Sequence, residues 1–207
     1  MRAWLLVVGL MTAIALSAEP VRAGVPSAAF SYVDPCMVLC PNGDLPFTVI
    51  VRDLANNNLN GVSVVLDFSA SPGTFICPAV PGDPYLVNPL AMTLRMFTGA
   101  DGRVTFPARV GGTGPDVKVF ANGVLIAVRA LASPDQDGNG IVDPGIDGAL
   151  FAAKLGHFDP TADYDCSVTN NDAADQAIQT AHRNHACSGI VVPTRTTTWG
   201  TLKLHYR

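Results

Sequence analysis

The chain has 207 residues, 48% of them hydrophobic and 14% charged, with a formal net charge of −4 at neutral pH. That is enough chain to bury a sizeable core in one or two small domains, and too little positive charge for a nucleic-acid surface. Outside residues 1–23 every acid is an aspartate, and nine of the aspartates fall between Asp135 and Asp175 with only Lys154 to oppose them, which points to cations as partners.

Met1–Ala23 reads as a secretory signal: Arg2, an apolar run from Ala3 to Ala18, then Val21-Arg22-Ala23 before Gly24. The run is short for a membrane span, and nothing later is long and apolar enough to cross a bilayer. The mature chain is therefore expected to be secreted, extracellular or at the cell surface, with no membrane span. Five cysteines in an exported chain imply disulfides with one thiol left over.

Residues 24–131 read as all-β. Apolar and polar residues alternate over Phe47–Asp53, Val62–Phe68, Met92–Phe97, Val104–Ala108, Val117–Ala121 and Val124–Leu131. Asn122-Gly123 predicts a hairpin between the last two runs, because a type I′ turn needs two positive φ angles. Asp101-Gly102 predicts another between Met92–Phe97 and Val104–Ala108. About seven short strands in this length suggest a β-sandwich. Ser71–Pro89 is rich in proline and glycine and reads as a long loop pinned by Cys77. Cys77 is expected to pair with Cys40 or with Cys36. Ala132-Ser133-Pro134 is a joint too short for a free tether, so the residues beyond it should sit close to the strands.

From Asp135 the sequence repeats itself. Sliding 135–157 forward by 28 positions onto 163–185 places Asp135, Asp137, Asp147, Ala149, Ala153 and His157 on Asp163, Asp165, Asp175, Ala177, Ala181 and His185. Such a period marks a duplicated loop–helix unit. Asp135, Asp137, Asn139 and Asp143 stand at loop positions 1, 3, 5 and 9, with Gly140 at position 6 for the sharp bend. A hard cation such as calcium wants six to eight oxygens from a loop of this kind. Asp143 then precedes Pro144, the pattern of a helix N-cap followed by proline at the first helical position; Asn171 and Asp172 play that part in the second unit. Ile146, Ala149, Leu150 and Ala153 form one helical stripe, and Ala174, Ala177, Ile178 and Ala181 form its expected packing partner. Cys166 and Cys187, 21 residues apart, are expected to staple the second unit. His182 and His185 share a helix face that suits zinc, but the sequence offers no third ligand.

After a linker broken by Pro193, the chain ends in Thr197–Arg207, where Leu202, Leu204 and Tyr206 alternate with Lys203, His205 and Arg207. If extended, this tail has one apolar and one basic face, suited to pairing with a sheet edge or to recognition by sorting machinery.

The motif D-x-D-G-N-G-I-V-D at Asp135–Asp143 and its second copy resemble the dockerin modules of bacterial extracellular proteins, built from two EF-hand-like loop–helix halves packed antiparallel. The resemblance covers residues 132–187. It implies calcium held by Asp135, Asp137, Asn139, the carbonyl of Ile141 and Asp143, and by Asp163, Asp165, Ser167, the carbonyl of Thr169 and Asn171. The closing carboxylate of such loops falls at position 12, where Ile146 and Ala174 stand; Asp147 and Asp175 come one residue later. It also implies a cohesin-like or other extracellular partner and a link to polysaccharide degradation. Val51-Arg52-Asp53, Gly61-Val62-Ser63-Val64 and Thr98–Phe106 resemble the immunoglobulin-like domains of invasin-type surface proteins, which implies a spacer or adhesive module. The expected fold is thus mostly β: an immunoglobulin-like sandwich over 24–131, a small α dockerin-like pair over 132–187, and a tail over 188–207. No Gly-x-Ser-x-Gly elbow, His-Glu-x-x-His or phosphate-binding glycine loop occurs, and a non-catalytic role is expected. The functional expectation is a secreted calcium-binding protein that docks into an extracellular assembly; the alternative is a surface adhesin or coat protein in which the repeat is an internal clasp.

Overall fold

The structure, a computed structural model, describes residues 24–167, 169 and 171–188. The expected leader over 1–23 and the patterned tail lie outside them. The described chain is mostly β, with strands β1 (Tyr32–Val33), β2 (Met37–Val38), β3 (Phe47–Ile50), β4 (Ser63–Asp67), β5 (Thr74–Ile76), β6 (Leu86–Asn88), β7 (Thr93–Phe97), β8 (Arg103–Phe106), β9 (Val110–Gly112), β10 (Gly114–Ala121) and β11 (Val124–Ala132). Two short helices come after them, α1 (Ile146–Ala152) and α2 (Ala173–Ala181).

Among the described residues three sheets form: β1-β3-β8, β2-β11-β10-β4-β7-β6 and β5-β9. Alternation decides which side chains go inward. In β4 Val64 and Leu66 are buried, in β8 Val104 and Phe106, and in β10 Val117 and Val119. With Phe47, Val49 and Leu94 they join one apolar cluster fed by both larger sheets. Each such side chain contributes about 1.5–3 kcal/mol on burial, which offsets the entropy of ordering short strands.

The Asn122-Gly123 turn is formed as expected, with φ of 44° and 81°, and joins β10 to β11. Asn122 Oδ1 also accepts the Ser63 N–H at 3.0 Å, tying the turn to β4. The second expected hairpin is not one. Gly99 and Arg103 do close a turn around Asp101-Gly102, but β7 pairs with β4 and β6 while β8 pairs with β3. The turn residues specify a local reversal only; beyond it the two strands part into different sheets, where each finds a buried face. Ser71–Pro89 is likewise more ordered than a pinned loop, since it carries β5 and β6. Its anchor is Arg109, whose buried guanidinium donates to Asp83 at 2.7 Å and to the Pro78 carbonyl at 2.6 Å.

The cysteines pair differently from expectation. Cys36 bonds Cys166 and Cys77 bonds Cys187, which leaves Cys40 buried and free. The expected Cys166–Cys187 staple is absent, and so is the expected bridge from Cys77 to Cys40 or Cys36. Spacing within the repeat treats it as standing apart, whereas the repeat lies along the β layers with both of its cysteines facing them. The two bridges therefore cross from strands to repeat, spanning 130 and 110 residues of sequence.

Loops of that length give each bridge about 4–5 kcal/mol in a chain-entropy account. Peptide mapping without reductant is expected to recover 36–166 and 77–187 linked, with Cys40 alkylated only after unfolding. Recovery of a 166–187 link, or ready alkylation of Cys40 in the folded chain, contradicts this arrangement.

Candidate metal-binding loops

β11 runs straight into the first acidic loop. Ser133 is fully buried, and the carbonyl of Asp135 accepts the Gly112 N–H of β9 at 2.7 Å. The approach is so close that a Cβ at Gly111 would overlap the Asp135 carboxylate, and one at Gly138 would overlap the Gly73 carbonyl. Glycine is needed at these contacts for space, and at Gly138 and Gly140 also for φ of 69° and 84°.

Asp135 turns the loop around itself. Its Oδ1 accepts the N–H groups of Gly138 at 3.0 Å and Asn139 at 3.2 Å, and its Oδ2 that of Gly140 at 2.8 Å. Asp147, in the first turn of α1, reaches back to close the loop. Its Oδ1 accepts from Gln136 N at 2.8 Å and Asp137 N at 3.1 Å, and its Oδ2 from Asp143 N at 2.6 Å. The second loop repeats the pattern. Asp175 Oδ1 accepts from Tyr164 N at 2.7 Å and Asp165 N at 3.1 Å, and Oδ2 from Asp172 N at 3.0 Å. Ser167 N donates to Asp163 at 3.1 Å and Asp165 at 2.9 Å, as Asn139 N does to Asp135 and Asp137. Cys166 takes the left-handed turn of its counterpart Gly138, at φ 62°.

Two triads result: Asp135, Asp137 and Asp147, and Asp163, Asp165 and Asp175, each with carboxylate oxygens within 4.8 Å of one another. The one-residue lateness of Asp147 and Asp175 does not keep them out. Asp135, Asp147 and Asp175 are fully buried. Burial pushes the Asp135 carboxyl up to about 7, against the stabilising Gly140 N–H, and burial also raises Asp147. Among the described residues no lysine, arginine or histidine forms an ion pair with Asp135, Asp137 or Asp147. An all-oxygen, carboxylate-rich set of this kind could hold a hard divalent cation.

The remaining expected ligands serve the loops in other ways. Asn139 folds onto its own loop, its Oδ1 accepting Ile141 N at 2.9 Å and its Nδ2 donating to Asp137 at 2.9 Å. The Ile141 carbonyl accepts Asp143 N at 3.1 Å. Asp143 Oδ1 accepts from Gly145 N and Ile146 N at 2.6 and 3.0 Å, so it supports the approach to α1; the helix itself starts after Gly145, and Asp143-Pro144 is not its cap and first residue. Ser167 and Thr169 share a hydroxyl bond of 2.8 Å. Asn171 is buried, and its Oδ1 lacks a partner, the one such oxygen within the repeat among the described residues. That orphaned acceptor fits a loop with an oxygen to spare for an ion. Asp172 does cap α2, with Asp175 completing a capping box.

Of the expected helix stripes only Ile178 packs against the core of the repeat. Ile146 and Leu150 are 49% and 41% exposed, while α1 buries Asp147 and Phe151 and α2 buries Asp175 and Gln179. The closing carboxylate fixes each helix's rotation, and the residue four positions on, one turn along the same face, becomes the anchor. Phe151 stacks on Tyr164 at 5.4 Å. The Tyr164 hydroxyl accepts from Gln136 Nε2 at 2.7 Å and donates toward Gln179 Oε1 at 2.8 Å. Gln136 and Tyr164 are repeat equivalents, as are Phe151 and Gln179, so the duplicated units meet through non-identical residues at matching positions. That register was the one sequence signal for this network. Each loop is also strapped to the end of the other helix: Val142 N donates to His185 O at 2.8 Å, and Asn171 N to His157 O at 3.0 Å.

Raised carboxyl values carry a definite sign. Asp135 and Asp147 stabilise the fold relative to the unfolded chain below the ordinary carboxylate pKa, and that stability is lost as pH rises through about 7 for Asp135. Asp159 is held low despite its partial burial, by Thr161 and Lys154, so its stabilisation is present above about pH 4 and lost only as pH falls further. In chelator, calorimetry of the full chain is expected to show the melting temperature falling from pH 5 to pH 8; a flat or rising profile contradicts the buried-acid account.

Compared with known proteins, the chain matches no family model, no curated protein and no solved structure.

Proposed function

We propose that the chain is a secreted, non-catalytic calcium-binding protein that docks into an extracellular or cell-surface assembly, as the dockerin resemblance implies. The observation that carries this reading is the duplicated aspartate triad, in which two carboxylate sets 28 residues apart share one backbone hydrogen-bond pattern. Repeated carboxylate triads suit doubly charged ions, and the oxygen-only donor set favours calcium over softer metals. Docking draws support from the outward-facing Ile146 and Leu150, with Phe158 also 49% exposed beyond α1. An apolar stripe on a helix whose position the ion fixes is a surface that calcium would present to a cohesin-like partner. The link to polysaccharide degradation and the immunoglobulin-like reading of the strands rest on resemblance alone.

The second reading, an adhesin or coat protein with the repeat as an internal clasp, is favoured by the two disulfides that bind the repeat to the strands. Calcium at a hundred times its dissociation constant contributes about 2.7 kcal/mol per site, so two sites should raise the melting temperature by about 10–20 °C. Asp135→Asn with Asp163→Asn should remove most of that rise, and equal melting with and without calcium contradicts both readings. Calcium-dependent retention of a cohesin module, lost in Ile146→Asp/Leu150→Asp, supports docking; a calcium-stabilised chain that retains none supports the clasp.

A further inference from the structure

We infer that the chain carries a zinc-type site, separate from the acidic loops, formed by Cys40, Asp44 and His185, with His182 beside Asp44. Two segments far apart in sequence supply these ligands. Cys40 and Asp44 flank the Pro41-Asn42-Gly43 turn, which is closed by Gly43 N donating to the Cys40 carbonyl at 2.9 Å. Gly43 takes φ of 81° there, and a Cβ on it would strike the Pro107 carbonyl and Arg109. His182 is the residue that ends α2, and His185 lies in the turn after it. The Cys77–Cys187 bridge holds the chain two residues beyond His185, and Cys36–Cys166 holds it four residues before Cys40.

The distances among Cys40, Asp44 and His185 suit three corners of a tetrahedron, and His182 adds a nitrogen beside Asp44. His185 Nδ1 lies 3.3 Å from Asp44 Oδ2, His182 Nε2 lies 3.4 Å from the same oxygen, and Cys40 Sγ lies 3.7 Å from His185 Nδ1. Zinc sits about 2.0–2.1 Å from nitrogen or oxygen and about 2.3 Å from sulfur, so its tetrahedral edges are about 3.3 Å between nitrogen and oxygen and about 3.6 Å between nitrogen and sulfur. Cys40, Asp44 and His185 have their ligand atoms within 4.8 Å of one another.

The groups behind the ligands agree with this geometry. His182 Nδ1 lies 2.8 Å from the Ile178 carbonyl, which fixes the ring whose Nε2 stands beside Asp44 and positions that carboxylate. His182 and His185 meet edge to face at 5.2 Å. Cys40 is a buried thiol that no disulfide uses. One thiolate, one carboxylate and one neutral imidazole around a dication leave no net charge, which suits a half-buried place. Sulfur and imidazole are poor ligands for calcium and good ones for zinc. Three protein ligands leave a fourth tetrahedral position for water, and the ion would clamp the chain just after α2 to the turn before β3.

The test uses the full chain with its disulfides intact, stripped by chelator and then held in excess calcium so that the acidic loops are supplied. Cobalt(II), a coloured stand-in for zinc, is then titrated in. One equivalent should produce a thiolate charge-transfer band in the near ultraviolet and the strong visible bands of tetrahedral cobalt, and one equivalent of zinc should abolish both. Cys40→Ser should remove the charge-transfer band. His185→Ala and Asp44→Asn should each weaken zinc at least about tenfold, since losing even a group that only orients a ligand costs about 10- to 100-fold. Asp44→Asn at the partly exposed rim keeps the test usable if the buried Cys40 substitution disturbs folding. Weak six-coordinate cobalt bands in the unaltered chain, or a thiolate band that survives in Cys40→Ser, overturn the assignment.

Discussion

Asp135 and Asp147 lie wholly out of water with their oxygens within 4.8 Å of each other and of Asp137. Like charges brought together in a low-dielectric place repel strongly, and backbone N–H groups offset only part of that cost. The raised value of Asp135 is the same cost expressed as a proton affinity. Much of the repeat follows from accommodating these carboxylates and their counterparts Asp163, Asp165 and Asp175. They set the rotation of α1 and α2, they curl each loop through donated N–H groups, and they leave Phe151, Tyr164, Gln136 and Gln179 to form the small core between the units. A divalent cation would replace the proton and turn repulsion into cohesion, which is the physical basis of the proposed calcium dependence.

The strands are part of that arrangement and not a detached carrier. Asp135 bonds to β9 through its carbonyl, Gly111 makes room for its carboxylate, and Gly73 and Gly112 line the same contact. Two disulfides then cross from the strands to the repeat. Ordering in the first loop is thereby coupled to ordering in the β layers. The repeat needs the strands for its shape.

Local signals in the sequence carried far, and long-range ones did not. Alternation located six strands because one face of each is buried, and Asn122-Gly123 specified its hairpin because few residues adopt two positive φ angles. The strands of two or three residues escaped notice, being too short to show a period. Asp101-Gly102 marked a turn but could not say that β7 and β8 join different sheets. The 28-residue repeat disclosed both triads, Asp147 and Asp175 included, while the helix stripes misled. In Ile146 and Leu150 hydrophobicity suggested an interior face, yet the buried face is held by a carboxylate and its anchor. Cysteine spacing failed for a related reason: partners more than a hundred residues apart leave no local trace.

The most direct measurement is a crystal structure of the chain grown in calcium, read by anomalous scattering at the two loops. The account predicts an ion in the first loop bonded by Asp135, Asp137 and Asp147, and a second bonded by Asp163, Asp165 and Asp175. Loops of the same shape with no anomalous signal at either triad would contradict it.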